Sequence, residues 1–143
     1  MPLRVLLGTL AALGLVVGVA ASAAPLWFYD TFPWLTTWVA KLPPYNEHLV
    51  SDHGGLSLGF GLLFAWAAYR PSRQLVLPLC WTYAISQLLH FLFHVTHLEG
   101  FSTADAIAQT ITLASAWIVP LVAIWLLAPQ PMGRVQTSAI EGS

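Results

Sequence analysis

Imidazoles gather in one stretch of this 143-residue chain, Ser86-Gln87-Leu88-Leu89-His90-Phe91-Leu92-Phe93-His94-Val95-Thr96-His97. On an α-helix His90, His94 and His97 are spaced i, i+4, i+7 and share one face, and Gln87 continues the same stripe. A polar stripe in an apolar helix must face partners rather than lipid, because polar groups are costly in hydrocarbon. The two other histidines, His48 and His53, stand at the start of the preceding apolar run.

Imidazole and carboxylate together suit zinc, copper, iron or nickel, and two histidines one helical turn apart can chelate a single ion. The pattern predicts a transition-metal site with His48, His90, His94 and His97 as ligands. Glu47 and Asp52 are the expected bases: a metal-bound water at an open position would be acidic enough to deprotonate near neutral pH. Gln87, Asp105 and Gln109 are expected to support the ligands from behind. Asp105, Gln109 and Thr112 repeat the i, i+4, i+7 spacing, so three helices are expected to send polar stripes into one cavity. Three other readings use the same residues. The histidines hold helices together by hydrogen bonds to Asp52, Asp105 and Gln109. His48 with His90 or His94 ligates a b-type haem. Histidine–carboxylate pairs relay protons or meet a quinone.

Composition decides the solvent. The chain is 57% hydrophobic and 8% charged, against about 25% charged in soluble domains, so lipid must cover much of it. A net charge of −1 offers no basic surface for nucleic acid. One cysteine, Cys80, rules out a disulfide framework within the chain.

Four apolar runs follow. The first spans Val5 to about Tyr29, enough for a membrane helix. Ala21-Ser22-Ala23 resembles a signal-peptidase site, so a cleaved leader is the alternative to a retained helix. Gly8, Gly14 and Gly18 suit close helix approach. Residues 30 to 46, rich in proline and tryptophan, are expected to lie flat at the membrane surface. The second helix is expected from an Asn46 cap to Tyr69, with Ser51, Gly55 and Gly59 forming a small packing face. The third runs from about Leu75 to Leu98. The fourth starts at a capping box of Ser102 and Asp105 and runs to about Leu127, with a kink at Pro120.

These elements predict an all-α fold, an integral membrane four-helix up-down-up-down bundle with a short interfacial segment between helices 1 and 2. Residues 1–128 form the transmembrane domain and 129–143 a disordered cytoplasmic tail. Arg4, Arg70, Arg73 and Arg134 fall on one side and Lys41 on the other, so both termini are expected in the cytoplasm of a plasma or inner membrane. The five histidines then lie on the outer side.

In the order of its elements, and in the stretch Gly54-Gly55-Leu56-Ser57-Leu58-Gly59-Phe60-Gly61-Leu62, the chain resembles the DoxX-like small membrane proteins. The resemblance implies a four-helix bundle and an accessory role beside a redox enzyme. The histidine stripe departs from that pattern, so no functional residue carries over. Three functions remain: a membrane metal-binding protein, either oxidoreductase or hydrolase; a non-catalytic accessory or scaffold subunit that binds a membrane partner or a second copy of itself; and a b-type haem protein.

Overall fold

The structure, a computed structural model, describes residues 1–34 and 36–127. The helices are α1 (Pro2–Ala23), α2 (Pro25–Thr31), α3 (Glu47–Tyr69), α4 (Arg73–Val95) and α5 (Thr103–Trp125), with a single 3-10 turn at Val39–Lys41 and no strand among the described residues. The tail expected at 129–143, with Arg134, lies outside the described residues.

The local chemistry of each boundary is plain. Pro2 sits at the first turn of α1, where its missing N–H costs nothing. The first apolar run does not continue unbroken to Tyr29 as expected. Pro25 has no N–H to donate and disfavours helical backbone at the residue before it, so Ala24 turns to φ −144°, ψ 64° and α2 starts afresh. The Asn46 side chain accepts from the Leu49 amide and caps α3, as its position suggested. Ser72 caps α4 through the Leu75 amide. Ser102 caps α5 through the Asp105 amide at 3.1 Å, and the Asp105 carboxylate accepts back from the Ser102 hydroxyl at 2.9 Å. Helix α5 continues through Pro120, which is buried within it.

Helix α1 packs chiefly on α3, and α4 on α5; slighter contacts join α1 to α5 and α3 to α4. The α1–α3 pair is antiparallel and its backbones touch. A methyl group on Gly18 would lie 2.6 Å from the Leu58 amide nitrogen and 3.0 Å from the Gly54 carbonyl oxygen. One on Gly54 would strike the Ser22 hydroxyl and lie 2.6 Å from the Ser22 amide nitrogen. Gly14 and Gly61 face each other in the same way. The expectation that Ser51, Gly55 and Gly59 form the packing face of this helix is not met. Gly55 and Gly59 open onto free space, because they lie about 100–160° round the helix from Gly54 and Gly61. Gly8 is likewise open.

One apolar core draws on all four long helices: Leu7, Leu10 and Ala11 of α1, Phe64 and Ala67 of α3, Val76, Leu79 and Cys80 of α4, and Ala123 of α5. These residues lie near the start of α1 and α4 and the finish of α3 and α5. The four helices therefore converge at one end, here the terminal end. The opposite end carries every histidine. Helices α1, α4 and α5 are long and apolar enough to cross a membrane. Helix α3 is as long, but its first two turns hold Glu47, His48, Asp52 and His53. Large apolar side chains point outward along the long helices, among them Val16, Leu62, Trp66, Ile85, Leu89 and Ile111.

The backbone contact predicts a sharp contrast between neighbouring glycines. Gly54→Ala should lower unfolding stability by about 1–3 kcal/mol, the usual cost of overpacking. Gly55→Ala should leave it unchanged or slightly raised. Thermal unfolding of the two variants in the same detergent checks the pair.

Candidate functional site

The core seam of α4 becomes polar as it leaves the terminal end. Val76, Cys80, Tyr83, Gln87, His90 and His94 follow one another at steps of four, three, four, three and four, the repeat of one buried helix face. Val76 and Cys80 are fully buried, and the other four are half-buried. The histidines therefore extend a packing face and do not point straight outward. Opposite them on α3, His53, Phe60 and Phe64 stand at i, i+7, i+11, within about 20° of one line at 100° per residue. The Tyr83 ring packs edge-on against Phe60 at 5.1 Å and Phe64 at 5.0 Å between centroids. Farther along, the His53 ring lies 5.9 Å from His90, the planes 20° apart. The His90 ring in turn meets His94 at 4.5 Å. Three imidazoles thus run in contact from α3 onto α4.

Helix α5 closes the third side. Gln109 is 2% exposed, the single polar side chain in the buried set of described residues. Its Oε1 and the Nδ1 of His94 are both buried and both without a hydrogen-bond partner. The two side chains are neighbours, yet no bond of good geometry joins them. A buried polar atom left without a partner costs about 1–3 kcal/mol. Two such atoms side by side mark a place where a ligand or a small rotation would satisfy both.

The other expected site residues go elsewhere. His48 sits about 140° round α3 from His53 and turns outward. Its Nε2 lies 3.4 Å from Asp52, with the two side chains 86% and 59% exposed, so neither joins the ring cluster. His97 falls beyond the helix, because α4 ends at Val95 with Thr96 as its cap. Its ring lies flat on Phe93 at 4.2 Å, and its Nδ1 is taken up by the Phe93 carbonyl oxygen at 2.8 Å and the Thr96 hydroxyl at 3.1 Å. Glu47 lines a separate shallow cleft of about 550 Å³ with Trp27, Asp30 and Tyr45. There burial first, then the nearby Glu47 and Asp30 carboxylates, push the Tyr45 phenol above its ordinary pKa. The Asp105 carboxylate makes its bonds to groups other than the histidines. One oxygen accepts from Trp38 Nε1 at 3.0 Å; the other accepts from Ser102 and lies 3.8 Å from Lys41 Nζ. Among the described residues no group of three or more His, Cys, Asp or Glu side chains stands arranged around a common ion position.

No protein-family model, curated protein or solved structure matches the chain. The site is therefore read from its own geometry. His53 was the residue that helical spacing of the histidines alone did not single out. Its signal lay in the i, i+7, i+11 stripe it shares with Phe60 and Phe64.

Gln109 offers a clean distinction between structure and function. If its amide only filled space, it would be a poor choice, since an apolar residue of similar volume carries no unpaired atom. Gln109→Leu is expected to leave the unfolding midpoint unchanged or raise it. A fall would mean that the amide holds the helices together.

Proposed function

We propose that this chain is an integral membrane protein, an up-down-up-down bundle of α1, α3, α4 and α5, that binds one transition-metal ion through His53, His90 and His94. The observation that carries the reading is the run of three touching imidazoles beside the unpartnered Gln109 Oε1 and His94 Nδ1. Zinc–nitrogen bonds are about 2.0–2.1 Å, so two imidazoles on one tetrahedral ion have ring centres roughly 5 Å apart. The centroid separations of 5.9 Å and 4.5 Å bracket that value. On this reading, side-chain rotation would have to bring the three rings onto a common point, since they are not arranged around one in the structure. A Gln109 oxygen accepting from His94 Nδ1–H would leave Nε2 bare for the ion and hold the ring's orientation. Imidazole ligands favour zinc, copper or iron over magnesium or calcium. Such an ion, with one position open to water or substrate, would supply Lewis-acid or redox chemistry next to the bilayer.

The membrane reading draws support from three apolar helices of spanning length and from the charge at the two ends. Arg4, Arg70 and Arg73 flank the terminal end, while Lys41 lies at the histidine end. The positive-inside rule then puts the terminal end in the cytoplasm and the histidines beneath the outer surface. A second reading has its own observation. Gly55 and Gly59 present an open, small-residue face on α3, which suits a membrane partner or a second copy, as in an accessory subunit of DoxX-like kind. Co-purification of a stoichiometric partner in mild detergent would support it; a clean monomer would count against it.

Elemental analysis of detergent-purified protein tests the metal reading. About one ion per chain is expected, falling at least tenfold in His90→Ala and His94→Ala, as loss of one of a few ligands implies. His48→Ala and His97→Ala should keep it. Substoichiometric metal indifferent to His90 and His94 would overturn the proposal.

A further inference from the structure

We propose that Asp105 is a positioning residue for the histidine site: through Trp38 and Lys41 it clasps the α1–α3 pair to the α4–α5 pair and so holds His53 against His90. The inference rests on the reading of these histidines as the working site, and it concerns what sets their spacing.

His53 belongs to the α1–α3 pair, and His90 and His94 to the α4–α5 pair. At the terminal end the pairs are fastened by the shared apolar core. That core stops well short of the histidines. At the histidine end the fastening is polar and comes from the segment between α2 and α3. Trp38 Nε1 donates to Asp105 Oδ1 at 3.0 Å. Lys41 Nζ donates to the Gly100 carbonyl at 3.2 Å, lies 3.8 Å from Asp105 Oδ2, and sits over the Phe101 ring at 5.3 Å. Among the described residues every other side-chain hydrogen bond joins groups no more than four positions apart in the chain; these two span 67 and 59 positions. They are the long-range polar ties of the fold, and both end on the α4–α5 turn or the first turn of α5. Asp105 stands one helical turn above Gln109, so the clasp closes directly over the orphaned Gln109–His94 pair's end of α5.

The bland account is that Asp105 only completes the Ser102 capping box. The two accounts separate in variants that leave Ser102 and Asp105 in place. Trp38→Phe removes one donor to the carboxylate, and Lys41→Gln removes the cation, while Lys41→Arg keeps it.

The measurement is carbethoxylation of each histidine by diethyl pyrocarbonate, followed by peptide mass spectrometry on the full chain in detergent micelles after chelator treatment. His48, exposed and outside the cluster, is the reference within the same molecule. Trp38→Phe and Lys41→Gln are expected to speed modification of His90 and His94 about tenfold relative to His48, the scale of losing one charge-assisted hydrogen bond. Lys41→Arg should keep the parent ratio. Ratios unchanged in both loss variants, or raised as much by Lys41→Arg as by Lys41→Gln, overturn the clasp. Because the protein is metal-free throughout, failure of the metal reading appears separately, as absence of bound ion in the parent protein.

Discussion

Everything in this molecule depends on the contact of two backbones, α1 at Gly18 and α3 at Gly54. In the bilayer proposed for this chain the hydrophobic effect would not press helices together, since lipid tails are as apolar as leucine. Close approach would then supply the attraction, through dispersion between atoms that side chains would otherwise keep apart. Once Gly54 and Gly61 face α1, the rotation of α3 about its axis is decided. Phe60, Phe64 and His53 then face α4, and His48 with Asp52 faces outward. The choice between two candidate histidines on α3 is thus made by glycines on another face of the same helix.

Helix α4 carries the next decision along a single seam. Its inward-facing positions begin as the buried Val76 and Cys80 and end as the half-buried Gln87, His90 and His94. The apolar half locks four helices together; the polar half is left to be joined by specific contacts. This division explains why polar groups persist at half-buried positions. They occupy places that the heptad-like packing of α4 already turns toward protein. The apolar core lies toward the terminal end and the imidazole cluster toward the other.

Much of this was legible in the residues. Long apolar runs, the Asn46 cap and the Ser102–Asp105 box located α3 and α5 closely, because those signals are local and the groups act within one turn. The i, i+4 relation of His90 and His94 likewise survived into the structure. What failed to show were consequences of partners. Periodicity pointed to the Ser51, Gly55 and Gly59 stripe on α3 and had no means of showing that Gly54 and Gly61 would meet α1 instead. It extended the α4 stripe to His97, whereas Thr96 turns its hydroxyl back to the Leu92 and Phe93 carbonyls and ends the helix first. Asp105 looked like a member of the polar cluster because its spacing to Gln109 was right. Its actual neighbours, Trp38 and Lys41, come from a segment more than sixty residues earlier in the chain, beyond reach of any local pattern.

The placement of the apolar core has a mechanical consequence. Val76 and His90 are fourteen residues apart on one rigid helix, so roughly 21 Å separate the fixed point from the imidazole. A tilt of about 5° at such a pivot swings the far end by ~2 Å, about the length of a metal–nitrogen bond. The long helices thus work as lever arms. A disturbance too small to break any contact around Phe64 is magnified, at the other end, into a change in the spacing of the imidazole rings.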